Sequence, residues 1–436
     1  MGGNRRQTAA TASGIAADPF NWLSTNTSRY GVSWQRQFRS GIVATPSVDL
    51  ERSSVFASSA LPTTTALSHV RILVPVWRDL GGTITRAAER IAEHGVTGAE
   101  LSETHAASLS IATAAAAYWS YQAACQRLAV FRESEARAQR TVDETQVLVQ
   151  AEERTPSDVK QLKANLAAKR VARLNAQQAV EEAGQQVALA MGVPPDRIAS
   201  LPRPSTDFPP LAADTPSTAT VDGWQLSAIE RRADRAAAGA SVQGAQVGQE
   251  AARADLRPRM DLVLDLGYSG LAAGVGAGRL FAPLYRNVPG ANTGVELRYQ
   301  LPSMNAGAKG RLAQADAYAE QQRLALRDTE RRIASDVALS ATALRTSQLA
   351  LVESRGAVDL WATSVQSEQR KFRLGVSTIF DIIQVQDAHT NAQLGEIASA
   401  YGHAVALARV RFATGTLLRH DGAQVTMEWT DLLTAP

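Results

Sequence analysis

Residues 372–393 read FRLGVSTIFDIIQVQDAHTNAQ, and the five at the centre, TIFDI (378–382), have an echo in TPSDV (155–159). Thr155 and Thr378, Asp158 and Asp381, and the stretch-closing Gly192 and Gly415 are each 223 positions apart. Three pairs at one offset mark the chain as an internal duplication. The residue types say what is duplicated. Thr155 is a favourable N-cap with Pro156 at the first helical position, and Asp158 falls at the third, where a carboxylate meets free N–H groups and the positive end of the helix dipole. Thr378 and Asp381 repeat the arrangement, and Gly375 just upstream can end the preceding helix in a left-handed turn. Each motif therefore marks the tip of a helical hairpin.

Working outward, the stretches Glu100–Gly192 and Asn305–Gly415 are rich in Ala, Gln, Glu, Arg and Leu and hold one proline, Pro156. Such composition favours helix. Arms of roughly 40 to 50 residues would be about 60 to 75 Å long at the helical rise. In the second stretch Val337, Leu344, Leu351, Val358 and Val365 recur every seventh position, with small Ser340, Ala341, Ser347 and Ser354 beside them. That is coiled-coil spacing with room for a close partner helix, against the alternative of an ordinary long bundle.

Other segments have a period of two. Tyr30–Phe38 and Val70–Val76 alternate in the first half. In the second, Met260, Leu262, Leu264, Leu266 and Tyr268 oppose Arg259, Asp261, Asp265 and Ser269, and Val295, Leu297, Tyr299 and Leu301 oppose Glu296 and Arg298. These patterns predict four strands in two pairs, each with an apolar and a wet face. The Gly-, Ser-, Thr- and Pro-rich stretches Ser40–Ser68 and Gly270–Ala291 are expected to be long loops. Four strands cannot close a membrane barrel alone, so they pack as a soluble sandwich or several protomers pool them. The charges at Asp261, Asp265, Glu296 and Arg298 fit a water-filled lumen better than a packed core, and three protomers would supply twelve strands.

Composition excludes other classes. Lys and Arg exceed Asp and Glu by only 3, without a basic block, so nucleic-acid binding is not expected. The single cysteine, Cys125, rules out an intrachain disulfide and a cysteine metal site. The six histidines form no zinc-protease spacing and no P-loop or nucleophile elbow is present, so neither enzyme, metal nor cofactor is expected. No apolar run is long enough for a transmembrane helix, and the N-terminus lacks the apolar core of a signal peptide.

These features together resemble the TolC-like outer membrane efflux proteins, over nearly all of residues 29–415. The most specific stretches are GVELRYQLPSMNAGAKGRLAQADA (294–317), FRLGVSTIFDIIQVQDAHTNAQ (372–393), VALAMG (187–192) with ARVRFATG (408–415), and VPVWRDLGG (74–82) as the equivalent strand exit. The resemblance implies a mainly α, α+β membrane protein of two internal repeats. Four β-strands per protomer would contribute to a trimeric, 12-stranded outer membrane β-barrel, continued by a long coiled-coil-like α-helical periplasmic barrel. It implies a homotrimer in the outer membrane lipid of a Gram-negative bacterium, helical part in the periplasm. Its partners would be a periplasmic adaptor and an inner-membrane transporter of resistance-nodulation-division or ABC type, and it would serve tripartite efflux or type I secretion. The hairpin turns, Thr155 and Pro156 with Gly375 and Thr378, would form the entrance. Asp381 and Asp158 would stand at the constriction, Asp158 by capping alone or more, Asp381 in a converging ring of three carboxylates.

Two departures bear on the entrance. Where studied members tie neighbouring helices with a Tyr and an Arg, this chain has Phe372 and Ser377, and Gln384 replaces a second Asp one turn after Asp381. A looser resting closure and weaker cation binding follow. At the other end, symmetry calls for a helix like 224–255 before the first strand, yet residues 1–28 have no helical period. A start assigned too far downstream, or a shortened chain, would account for this. The expected organisation is an atypical segment 1–28, a first strand pair 29–80, a first hairpin 81–192, a Pro-rich linker 193–223, a helix 224–256, a second strand pair 257–302, a second hairpin 303–415 and a tail 416–436. The competing reading, a periplasmic adaptor or coiled-coil scaffold, predicts one hairpin flanked by a split sandwich rather than two at a fixed offset.

Overall fold

The computed structural model describes residues 2–9, 22–55, 61–152, 155–194, 196–197, 202–211, 217–285, 291–421 and 424–436. The chain divides into two compact units, Met1–Val96 with Ala240–Arg323 and Thr97–Gly239 with Leu324–Pro436.

The first unit is built on an antiparallel sheet. Its strands are β1 (Gly2–Ala9), β2 (Trp22–Ser33), β3 (Arg36–Gln37), β4 (Val43–Val55), β5 (Thr63–Pro75), β6 (Arg259–Ala273) and β7 (Ala291–Gln300). The order is β1-β2-β4-β5-β6-β7, with β3 also on β4. Three expectations are corrected here. Segment 30–38 does not pair with 70–76: both lie against β4, which occupies most of the supposed loop 40–68. The described part of 1–28 is strand, with residues 10–21 outside the description. The sheet therefore has seven strands rather than four among the described residues. Pro46 explains both the missed strand and the split between β2 and β3. It accepts from the Trp34 N–H at 3.0 Å but has no N–H to return, so the ladder lapses there. The loop 270–291 likewise shortens, because β6 runs on to Ala273 and a turn of helix, α5 (Gly278–Phe281), follows.

The strand exit VPVWRDLGG is a tight turn. A Cβ on Gly82 would lie 1.9 Å from the Arg39 carbonyl oxygen, and its φ is +77°. Only glycine fits there. Asp79 then accepts from the N–H groups of Ile84 at 2.6 Å and Thr85 at 3.2 Å ahead of the first long helix.

That helix, α1 (Ala87–Gln150), passes from the first unit into the second, as does α6 (Ala306–Arg373), while α4 (Ala233–Ala254) passes from the second into the first. The second unit also holds α2 (Pro156–Ala190), α3 (Thr218–Arg231) and α7 (Ile379–Ala413). Helices α2 and α7 are each 35 residues, about 52 Å at the helical rise, and their bounds differ by the same 223 positions as the turn motifs. This is shorter than the arms read from composition. The heptad reading holds: Val337, Leu344 and Leu351 are fully enclosed, Val365 is buried and Val358 half-buried. Leu344 meets Ala406, Leu407 and Val410 of α7, and Ile333 and Val337 meet Ala228 and Ala413. Ser340, Ser347 and Ser354 each donate to the carbonyl three residues back, so the small seam positions satisfy their own hydroxyls. The helix expected over 224–256 is two helices. They break at Arg232, where ψ is 125° and the guanidinium turns to Asp234 at 2.7 Å and Asp336 at 3.3 Å. The described linker residues 202–211 have no regular structure, and Phe208 packs on Trp119 with centroids 5.7 Å apart. The tail inserts Leu417 and Leu432 against Ala115 and Ala408.

The helix ends repeat as well. Gly192, Gly375 and Gly415 have φ of +66°, +74° and +68°. In each case the glycine N–H and the next N–H reach back to carbonyls three and five residues earlier: Leu189 and Ala188, Phe372 and Lys371, Phe412 and Arg411. These are Schellman caps. The position 223 before Gly375 is Glu152, also left-handed at φ +63°. A side chain is disfavoured there, so Glu152→Gly should raise stability by about 1 kcal/mol in denaturant unfolding, and Gly375→Ala should lower it by a similar amount.

Candidate functional site

Within the first unit, register sorts side chains onto two faces. Ala44, Ile72, Leu264 and Val295 lie in one cross-strand row, and Pro46, Val70 and Leu266 in the next. This face is uncovered: Val70, Leu266 and Leu297 are exposed, and Val295 is 75% exposed. Burying such side chains is worth roughly 1.5–3 kcal/mol each, so a bare apolar face needs a non-aqueous neighbour. On the opposite face Arg71, Asp265 and Gly294 form a row, and Pro75, Asp261 and Arg298 another.

The four residues assigned to a lumen thus share one face, but none is a free charge. Asp265 pairs with Arg71 at 2.8 Å, Glu296 with Arg298 at 3.1 Å, and Asp261 with Arg259. Asp261 and Val263 are each only 2% exposed, so part of the polar face is enclosed. The β7 strand is exposed along its whole length and pairs on one side, with β6.

In the second unit the two turns differ in strength. The Thr378 hydroxyl accepts from the Asp381 N–H at 3.2 Å, while Asp381 Oδ2 accepts from the Thr378 N–H at 3.1 Å and its hydroxyl at 2.6 Å. This is a complete capping box. At the first turn Thr155, followed by Pro156, donates its N–H to Asp158 Oδ2 at 3.4 Å, a longer contact. The Thr378 hydroxyl, then its backbone N–H, and nearby Lys371 hold the Asp381 carboxyl below the ordinary carboxylate range. Gln384 is exposed.

Phe372 and Ser377 make other contacts within the chain. Phe372 is buried with Ile379 and Ile382 against Ala138, Val142, Leu162 and Leu166 of the first hairpin. Ser377 is buried and its hydroxyl donates to Glu368. That bond and Lys371 lower the Glu368 carboxyl. An apolar cluster thus stands where the polar tie is missing. Sequence reasoning also missed three polar links between the hairpins: Lys169 with Asp387, Arg137 with Thr390 at 3.2 Å, and Thr390 with Ser134 at 3.4 Å. No motif marks them; they follow from the helix pairing, which only the fold supplies. Among the described residues no cluster of His, Cys, Asp or Glu could hold a metal ion, and no helix is long and apolar enough to cross a membrane.

A sheet with one apolar and one charged face is thus joined in sequence to capped helical hairpins. Comparison with solved structures finds that fold. The outer-membrane channel OprN superposes with a TM-score of 0.69 at 16% identity, over 90% of this chain and 81% of that one. The CmeC outer membrane channel of Campylobacter jejuni gives 0.68 at 14%, over 90% and 78%. The outer membrane protein VceC of Vibrio cholerae gives 0.66 at 18%, over 90% and 87%. Residues 225–416 match the family model of the outer membrane efflux proteins, a span that holds three of the stretches on which the resemblance was read, 294–317, 372–393 and 408–415. No curated protein matches.

The cap makes a pH prediction. A depressed folded-state pKa gives Asp381 a stabilising contribution that is present above its unfolded value and lost as pH falls through the lower folded value. Thr378→Ala should move the Asp381 carboxyl up towards the ordinary carboxylate range and flatten the acid limb of the stability curve, as followed by carboxyl NMR and unfolding at stepped pH.

Proposed function

We propose that the chain is the outer membrane channel of a tripartite efflux or type I secretion system, a passive conduit from a periplasmic adaptor and inner-membrane pump to the exterior. The observation that carries the reading is the sheet: among the described residues its apolar face is bare and the outer edge of β7 is unpaired. Neither feature is stable alone, and an open edge cannot sit in hydrocarbon. Three copies joined edge to edge remove every edge, and taking β4–β7 as the membrane strands gives a closed barrel of twelve. In the single chain β2 covers the edge of β4 that a neighbouring β7 would need, so closure exchanges one for the other. Exposed Leu339, Leu349 and Leu360 on α6 offer further apolar surface for the same association.

The face assignment has a direct test in bilayers. With Cys125 replaced by Ser, cysteines at Leu264 or Leu297 should react with lipid-soluble probes, and those at Asp265 or Arg298 with water-soluble thiol reagents. The opposite labelling would put lipid on the charged face and end this reading.

At the entrance, Asp381 is proposed to supply a ring of three carboxylates that focuses cations. Capping and charge separate in Asp381→Asn, which keeps an acceptor for the Thr378 N–H while removing the charge. Cation selectivity in planar bilayers should fall several-fold with the helix content unchanged; unaltered selectivity would leave Asp381 a helix cap and nothing more.

A further inference from the structure

Beside the Phe372 cluster, α1, α6 and α7 line a half-open cavity of about 110 Å³. Its polar lining is Arg137, Arg140, Arg373, Gln369, Gln386 and Glu144. Glu144 is the one carboxylate of that lining, against Arg140, Arg373 and an Arg137 whose charge Glu133 already meets. The Arg137 side chain is only 10% exposed and donates to Glu133 at 2.6 Å and Thr390 at 3.2 Å, which fixes it as the back wall. Arg140 makes one long bond, 3.4 Å, to the Ala136 carbonyl of its own helix, and Arg373 forms no ion pair among the described residues. Gln386 is 8% exposed, yet its side-chain amide bonds to no other described residue.

The Gln386 amide atoms are open to the solvent of the cavity, and guanidinium groups offer donors and no acceptor. Water in the cavity would answer the amide but leave the excess positive charge in place. An anion answers both. The volume is that of a few water molecules at about 30 Å³ each, which is room for a small ion. Several donors converging from different directions suit a tetrahedral oxyanion better than a spherical halide, because charge-assisted bonds are directional.

We propose that this cavity binds a free tetrahedral oxyanion, inorganic phosphate or sulfate, held by Arg140, Arg373 and Gln386 in front of Arg137. Arg140 lies on α1 of the first hairpin and Arg373 at the end of α6 of the second, so the bound ion ties the hairpins together next to Phe372. The site belongs to the helical unit alone and does not depend on whether the chain conducts.

The test uses the full chain in detergent and chloride buffer at constant ionic strength, titrated with inorganic phosphate, sulfate or acetate by calorimetry. Phosphate and sulfate should bind saturably at one site per chain and raise the unfolding temperature. Arg140→Gln with Arg373→Gln, both at exposed positions, should raise Kd about tenfold or more without altering the circular dichroism, since two charge-assisted contacts are lost. Arg132→Gln, an exposed guanidinium away from the cavity, should leave Kd unchanged. No saturable binding of either oxyanion, or equal affinity in the double variant, would overturn the proposal. Acetate binding as tightly as phosphate would assign the cavity to carboxylates instead.

Discussion

Backbone N–H and C=O groups on an open strand edge find partners in water and none in hydrocarbon, and this constraint governs the chain. The sheet carries rows such as Ile72, Leu264 and Val295 on one face and Arg71 and Asp265 on the other. The apolar rows call for lipid or a partner surface, while the bare edge of β7 excludes lipid unless another strand covers it. In the barrel proposed above both demands are met together, because copies of the sheet close on one another. The charged residues then face inward, already compensated by Arg259, Arg71 and each other.

The helical unit solves a different problem. Long helices lack the hydrophobic drive of a large globular core, so their ends and seams have to be specified closely. Schellman glycines at 192, 375 and 415 and a full capping box at Thr378 set where each helix stops and starts. The heptad from Val337 to Leu351 sets which face packs, and serines beside it let the backbones approach without orphaned hydroxyls. Near the tips, the Phe372 cluster and the Lys169–Asp387 pair join the two hairpins of one chain. Apolar packing there is short-ranged and insensitive to salt, unlike a surface ion pair.

Much of this was legible because helices and caps write locally. The turn motifs, Gly375 and the seven-residue spacing each report on neighbours within a turn or two, and they gave the hairpins and the resemblance to outer membrane efflux proteins. Strands over 43–55 were not legible, because Pro46 and a hydroxyl-rich composition mimic a loop while pairing with distant β5 supplies the stability. Glu152 hid its left-handed turn because the signal, a glycine, is absent and only the repeat offset points to it. The site was legible in part: Asp381 and Thr378 interact as their spacing implies, whereas the partner of Ser377 and the packing of Phe372 depend on which helices meet.

The central claim is that this sheet is one third of a closed wall. Light scattering coupled to size exclusion, with the detergent contribution subtracted, measures the protein mass of the purified full-length assembly directly. A mass of three chains, persisting on dilution, is the result this account predicts. A water-soluble monomer with the same helix content would contradict it.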